Sequence, residues 1–71
     1  MTREFTVVVE RDTEGYFVAT VPSLPGCHTQ AQSRDELDER IREAIAACLD
    51  ETEEIPPALE LIAVERVVVA V

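Results

Sequence analysis

The run Val21-Pro22-Ser23-Leu24-Pro25-Gly26-Cys27-His28-Thr29-Gln30-Ala31-Gln32-Ser33-Arg34-Asp35-Glu36-Leu37 decides how this chain is organised. Two prolines and a glycine after Val21 interrupt any continuous strand. Cys27 to Ala31 then leaves room for one short strand. Ser33, followed three residues later by Glu36, is a capping box: the hydroxyl takes an orphan backbone N–H, and the acid faces the helix's positive end. A strand-forming half therefore ends here and a helix-forming half begins.

Downstream, Leu37, Ile41, Ala44, Ile45, Cys48 and Leu49 recur at helical spacing and form one apolar stripe. Glu36–Arg40 and Asp38–Arg42 sit acid-first four apart, each worth about 0.3 kcal/mol on a wet face. Pro56-Pro57 is the expected stop. Upstream, residues 4 to 10 set Phe5, Val7 and Val9 against Glu4, Thr6 and Glu10, the period of a half-buried strand, with Val8 as the exception. Asp12-Thr13-Glu14-Gly15 reads as a turn in which Gly15 takes a positive φ. Tyr16 to Val21 is a second strand, rich in aromatic and β-branched residues. Leu59 to Val71 reads as a final strand that ends Val67-Val68-Val69-Ala70-Val71. The expected order is β-β-β-α-β: an α+β fold with a three-stranded antiparallel meander, one amphipathic helix packed on one face of the sheet, and a last β-strand.

Seventy-one residues make a single domain over 1–71, with no separate DNA-binding domain expected. Six basic residues against fifteen acidic ones leave a net charge of -9, the wrong sign for a phosphate-binding patch, so no direct nucleic-acid binding is expected. At 46% apolar the chain is too hydrophobic to read as disordered. No apolar run approaches the roughly 18 residues of a membrane span, and the first residues do not resemble a signal peptide. The expectation is a cytoplasmic domain with no membrane association. A chain this short buries only about 60% of its unfolded surface, and such domains often lean on oligomerisation.

The candidate chemistry is sparse. Cys27 and Cys48 form no CxxC, and His28 is the sole histidine, so a zinc site lacks ligands and buried structural cysteine is the better reading. Cys27 and His28, as neighbours on a strand, point to opposite faces and make no catalytic dyad. His28 is expected on the solvent face. Glu4, Glu10, Glu60 and Glu65 would have to converge on Mg²⁺ to cut a phosphodiester, but solvated strand carboxylates are far commoner. No catalytic, metal-binding or cofactor-binding residue is assigned.

Two surface features carry more. Asp50, Glu51, Glu53 and Glu54 crowd the helix C-terminus, where the macrodipole disfavours negative charge by about 0.3–1 kcal/mol each. A solvated, frayed helix end is the plain reading; a docking surface for a basic protein is the sharper one. The final valines are apolar on both faces, so a neighbouring element or a second subunit must cover one of them. Val67, Val68, Val69 and Val71 are the candidate oligomer interface.

Phe5-Thr6-Val7-Val8-Val9-Glu10, Gly15-Tyr16-Phe17-Val18-Ala19 and Val21-Pro22-Ser23-Leu24-Pro25-Gly26-Cys27, followed by Thr29 to Leu37 opening the helix, resemble the HicB-like antitoxin family across about residues 4 to 49. Ala31 stands where the family usually has Gly, and Leu37 where it usually has Ala. The resemblance implies a partial ribonuclease-H-like fold, assembled as a homo-dimer or tetramer. It also implies a non-enzymatic role in a type II toxin–antitoxin system: binding and neutralising a small, basic, mRNA-cleaving toxin. The alternatives are an orphan oligomeric scaffold or regulatory binding module without a toxin, and a metal-dependent nuclease using strand carboxylates.

Overall fold

The computed structural model describes residues 3–51 and 57–71. Within them the chain forms β1 (Val8–Arg11), β2 (Phe17–Thr20), β3 (His28–Ala31) and α1 (Arg34–Asp50). The three strands make one antiparallel sheet in the order β1-β2-β3, with Val9 opposite Ala19 and Ala19 opposite Thr29. Three antiparallel strands and one helix make this an α+β fold.

Each element has a local cause. The first hairpin closes through Asp12, whose Oδ1 accepts from the N–H groups of Glu14 and Tyr16, both at 2.9 Å. Gly15 sits at φ +91°, where a side chain would be strained. Beside the turn, the Arg11 guanidinium lies over the Phe17 ring at 4.8 Å. At the helix start, Ser33 Oγ accepts from the Glu36 N–H at 3.2 Å, as the capping-box spacing predicts. The helix closes at Asp50 with Glu51 as C-cap, short of the expected stop at Pro56-Pro57. Pro56 lies outside the described residues. The Glu51 N–H caps the Ala47 and Leu49 carbonyls, but the last turn carries no basic side chain to complement the helix dipole.

Alternation along the strands sends Ala19 and Ala31 to one side of the sheet, where they meet Leu37 and Ile41 of the helix. Val21, Leu24 and Cys27 from the intervening loop complete the buried core. Ala44, Ile45, Cys48 and Leu49 pack against it part-buried, so all six positions of the helical stripe face the same side. The helix lies against β3 and β2 and not against β1. Arg40 pairs with Glu36, whereas Asp38 and Arg42, at the same spacing, form no ion pair.

Two expectations differ from the structure. The first strand pairs only from Val8, because β2 ends at Thr20, opposite Val8, and the chain then turns away through the Val21–Cys27 loop. Phe5, Thr6 and Val7 precede the pairing, with Phe5 and Val7 still packed on the core. The final strand expected from Leu59 to Val71 is not part of the sheet: residues 57–71 carry no strand pairing and are exposed throughout. A strand exists only through a partner's hydrogen bonds, and no edge of this sheet meets that segment within the chain.

Candidate functional site

The Val21–Cys27 loop folds into two linked turns. Leu24 N–H donates to the Val21 carbonyl at 3.1 Å and Cys27 N–H to the Leu24 carbonyl at 2.9 Å; Val21 N–H reaches back to the Cys27 carbonyl at 3.0 Å. Gly26 supplies φ +80°. The consequence is that Val21, Leu24 and Cys27 all point into the core while Pro22, Pro25 and Gly26 stay outside. This stretch is a packing device. His28, directly after it, is exposed, its Nδ1 3.1 Å from the Gly26 carbonyl oxygen.

The loop also carries the thiols. Cys27 is buried and Cys48 half-buried on the helix, and both are free. Burial, and then the hydrogen-bonded Cys48 thiol beside it, push the Cys27 pKa up to about 11. A thiol held protonated is a poor nucleophile and a poor metal ligand, which agrees with the structural reading of Cys27. Their mutual contact was not legible in the sequence, where each was placed separately. Glu4, Glu10, Glu60 and Glu65 are all exposed. Among the described residues no group of three or more His, Cys, Asp and Glu side chains is arranged to hold a metal ion.

Three surface features stand out. The acidic helix end is the first: Asp50 and Glu51 are exposed there, and Glu53 and Glu54 lie outside the described residues. The second is a groove of about 360 Å³ between β1 and the helix, floored by Phe5, Val7, Val9, Ile41 and Ile45 and rimmed by Arg34, Asp38 and Arg42. It exists because the helix covers only two of the three strands; Val9, although in register with the fully buried Ala19, is left 37% exposed. The third is the apolar tail: Val67, Val68, Val69 and Val71 are between 68% and 122% exposed. The sequence singles out the first and third as candidates. Sequence reasoning missed the groove, whose signal would have been a helix stripe too narrow to span three strands.

No helix among the described residues is long and apolar enough to cross a membrane. A family model described as a HicB-like antitoxin of bacterial toxin–antitoxin systems matches residues 5–67. Across 67 residues the chain is 42% identical to a UPF0150 protein of Synechocystis, covering 94% of this chain and 96% of that one. It is 60% identical to a UPF0150 protein of Archaeoglobus fulgidus over 47 residues, 66% of this chain and 68% of the relative. A UPF0150 protein of Thermotoga maritima is 32% identical over 64 residues, 89% of this chain and 85% of that one. With a strand-rich first half, the Val21–Cys27 turn and a capped helix inside the matched span, the chain belongs to the HicB-like antitoxin family of bacterial toxin–antitoxin systems.

Proposed function

We propose that this protein is a cytoplasmic, non-enzymatic antitoxin that binds a small basic toxin and blocks its cleavage of messenger RNA. The observation that carries this reading is the family match across residues 5–67. The charge balance supports it: a net of -9 on 71 residues complements a partner whose own surface must attract RNA. In this reading the docking surface is the acidic end of the helix, Asp50, Glu51, Glu53 and Glu54. Asp50 and Glu51 stand at the negative end of the helix dipole with no basic side chain in the last turn, a locally unfavourable placement that becomes favourable once a cationic partner sits on them. Inhibition needs no catalytic group, since covering the toxin's RNA-binding face is enough. The protein also associates with itself, as a dimer or tetramer, through its apolar tail.

The test is co-expression with the product of an adjacent small basic gene, followed by size-exclusion chromatography with light scattering at low and high salt. Co-elution at low salt, weakening at high salt, and suppression of RNA cleavage by the purified toxin are the expected results. Converting Asp50 and Glu53 to Asn and Gln, and Glu51 and Glu54 to Gln, should slow association by about tenfold or more, because steering is lost before contacts are. A self-associated protein that ignores its neighbour would overturn the antitoxin reading and leave the fold untouched. Unchanged affinity in the four-fold variant would move the docking surface elsewhere.

A further inference from the structure

We propose that the groove between β1 and the helix is the socket for residues 64–71 of a second copy of this chain, which add a fourth strand at the free edge of β1 in a reciprocal exchange. The proposal does not depend on the antitoxin reading.

Three observations meet here. First, the sheet has two edges, and they differ: on β3 the Gln30 carbonyl is already taken by Arg40, whose Nη1 donates to it at 2.8 Å. An arginine laid across the outer edge blocks strand addition there. β1 is the sheet's other edge and pairs on one side only, with β2. Second, the socket's chemistry fits a short apolar strand. Its floor is Phe5, Val7, Val9, Ile41 and Ile45, and Val9 is a core-facing residue that the described part of the chain leaves 37% exposed. A strand laid along β1 turns alternate side chains inward, so Val67, Val69 and Val71 reach that floor while Val68 and Ala70 extend the outer face beside Val8. This accounts for a terminal run that is apolar on both sides. The groove's rim carries both signs, Arg34 and Arg42 with the unpaired Asp38, and Glu65 and Arg66 stand at the head of the valines.

Third, the chain's own tail runs elsewhere. Residues 59–63 lie beside Thr6 and Pro22, which alternate with the core-packed Val7 and buried Val21 and so belong to the sheet's other side. From there the valines project into solvent, Val68 at 98% exposure. Plug and socket are thus both present on one chain, and among the described residues neither fills the other. A two-fold exchange fills each with the other and leaves no open strand edge, the arrangement a self-complementary interface requires.

The experiment uses the full chain. A photo-crosslinking amino acid replaces Arg42 on the groove's rim, and light- and heavy-nitrogen-labelled chains are unfolded, mixed in equal parts, refolded and irradiated. Mass spectrometry then reads which chain supplied the tail peptide, and sedimentation gives the particle mass. The expected result is a dimer or a higher even assembly, with crosslinks from position 42 to residues 64–71 in which light and heavy peptides are joined. Crosslinks confined to chains of one label mean that the tail occupies its own groove, and overturn the proposal. So do a monomeric wild-type protein, or an oligomer with no crosslink between position 42 and the tail. The Val67→Glu/Val69→Glu variant should weaken self-association by more than about 100-fold, since two charges would enter an apolar floor. Helix circular dichroism should be retained, because neither valine is buried in its own protomer. A variant that dimerises as before refutes the exchange; one that loses its helix leaves the crosslink as the deciding measurement.

Discussion

Truncating Leu37 to alanine removes the side chain that fastens the helix to the sheet. Leu37 is 1% exposed and clusters with Ala19, Ala31 and Ile41. Losing three carbons from a site this dry forfeits about 2.4 kcal/mol of transfer energy at about 0.8 kcal/mol per methylene. The helix is held at its first turn by the Ser33 cap and cannot slide to fill the gap, so a cavity cost adds to this. The total is about 3–4 kcal/mol, within the span seen for buried leucines. A domain of this length holds about 7 kcal/mol in all, so about half its stability should go. The assay is urea unfolding followed by helix circular dichroism, at one protomer concentration because self-association would shift the midpoint. The midpoint should fall with the slope unchanged, and the melting temperature by roughly 12–30 °C. Leu61→Ala, at a side chain 57% exposed, is the control and should stay within about 0.5 kcal/mol of wild type. A loss below about 1 kcal/mol for Leu37→Ala, with the slope kept, would refute the seating of the helix on β2 and β3.

Three further outcomes follow from the geometry. With its pKa raised from 9.0 to about 11, Cys27 binds its proton more tightly when folded than when unfolded. Its contribution is therefore whole below pH 9 and is lost as pH rises towards 11, by about 2–3 kcal/mol. Cys27→Ala should flatten that decline in alkaline urea titrations, and an equal decline in both proteins would contradict the shift. At Gly26, φ is +80° and an added Cβ would meet nothing within 4 Å, so Gly26→Ala should cost about 1–2 kcal/mol from backbone strain alone. A neutral Gly26→Ala would mean that the loop readily adopts another conformation. Ser33→Ala leaves the Glu36 N–H without its cap and should cost about 1 kcal/mol, read from the same urea midpoint, whereas Ser33→Asp should restore most of it.

The parts of this molecule that are local in cause were legible in the sequence. The Ser33 N-cap, the six-residue stripe from Leu37 to Leu49, the Asp12–Gly15 turn and the break after Val21 each depend on residues within a turn or two of one another. All of them stand where their spacing put them. So does the family, because its Pro-Ser-Leu-Pro-Gly-Cys stretch is contiguous. What the sequence left open depends on where elements end up relative to each other. Period-two alternation marks Val9 as core-facing, yet only the seating of the helix on β3 and β2 decides that Val9 stays uncovered and that a groove opens beside it. The apolar run likewise marks residues 59–71 as strand-forming without naming a partner edge, and among the described residues they pair with none. The Cys27–Cys48 contact and the Arg40 bond to Gln30 join residues 21 and 10 positions apart, brought together only when the helix folds back over the sheet. Propensity and patterning act through neighbours in the chain, and therefore set the elements; which surfaces are covered, and which wait for a partner, is settled by packing alone.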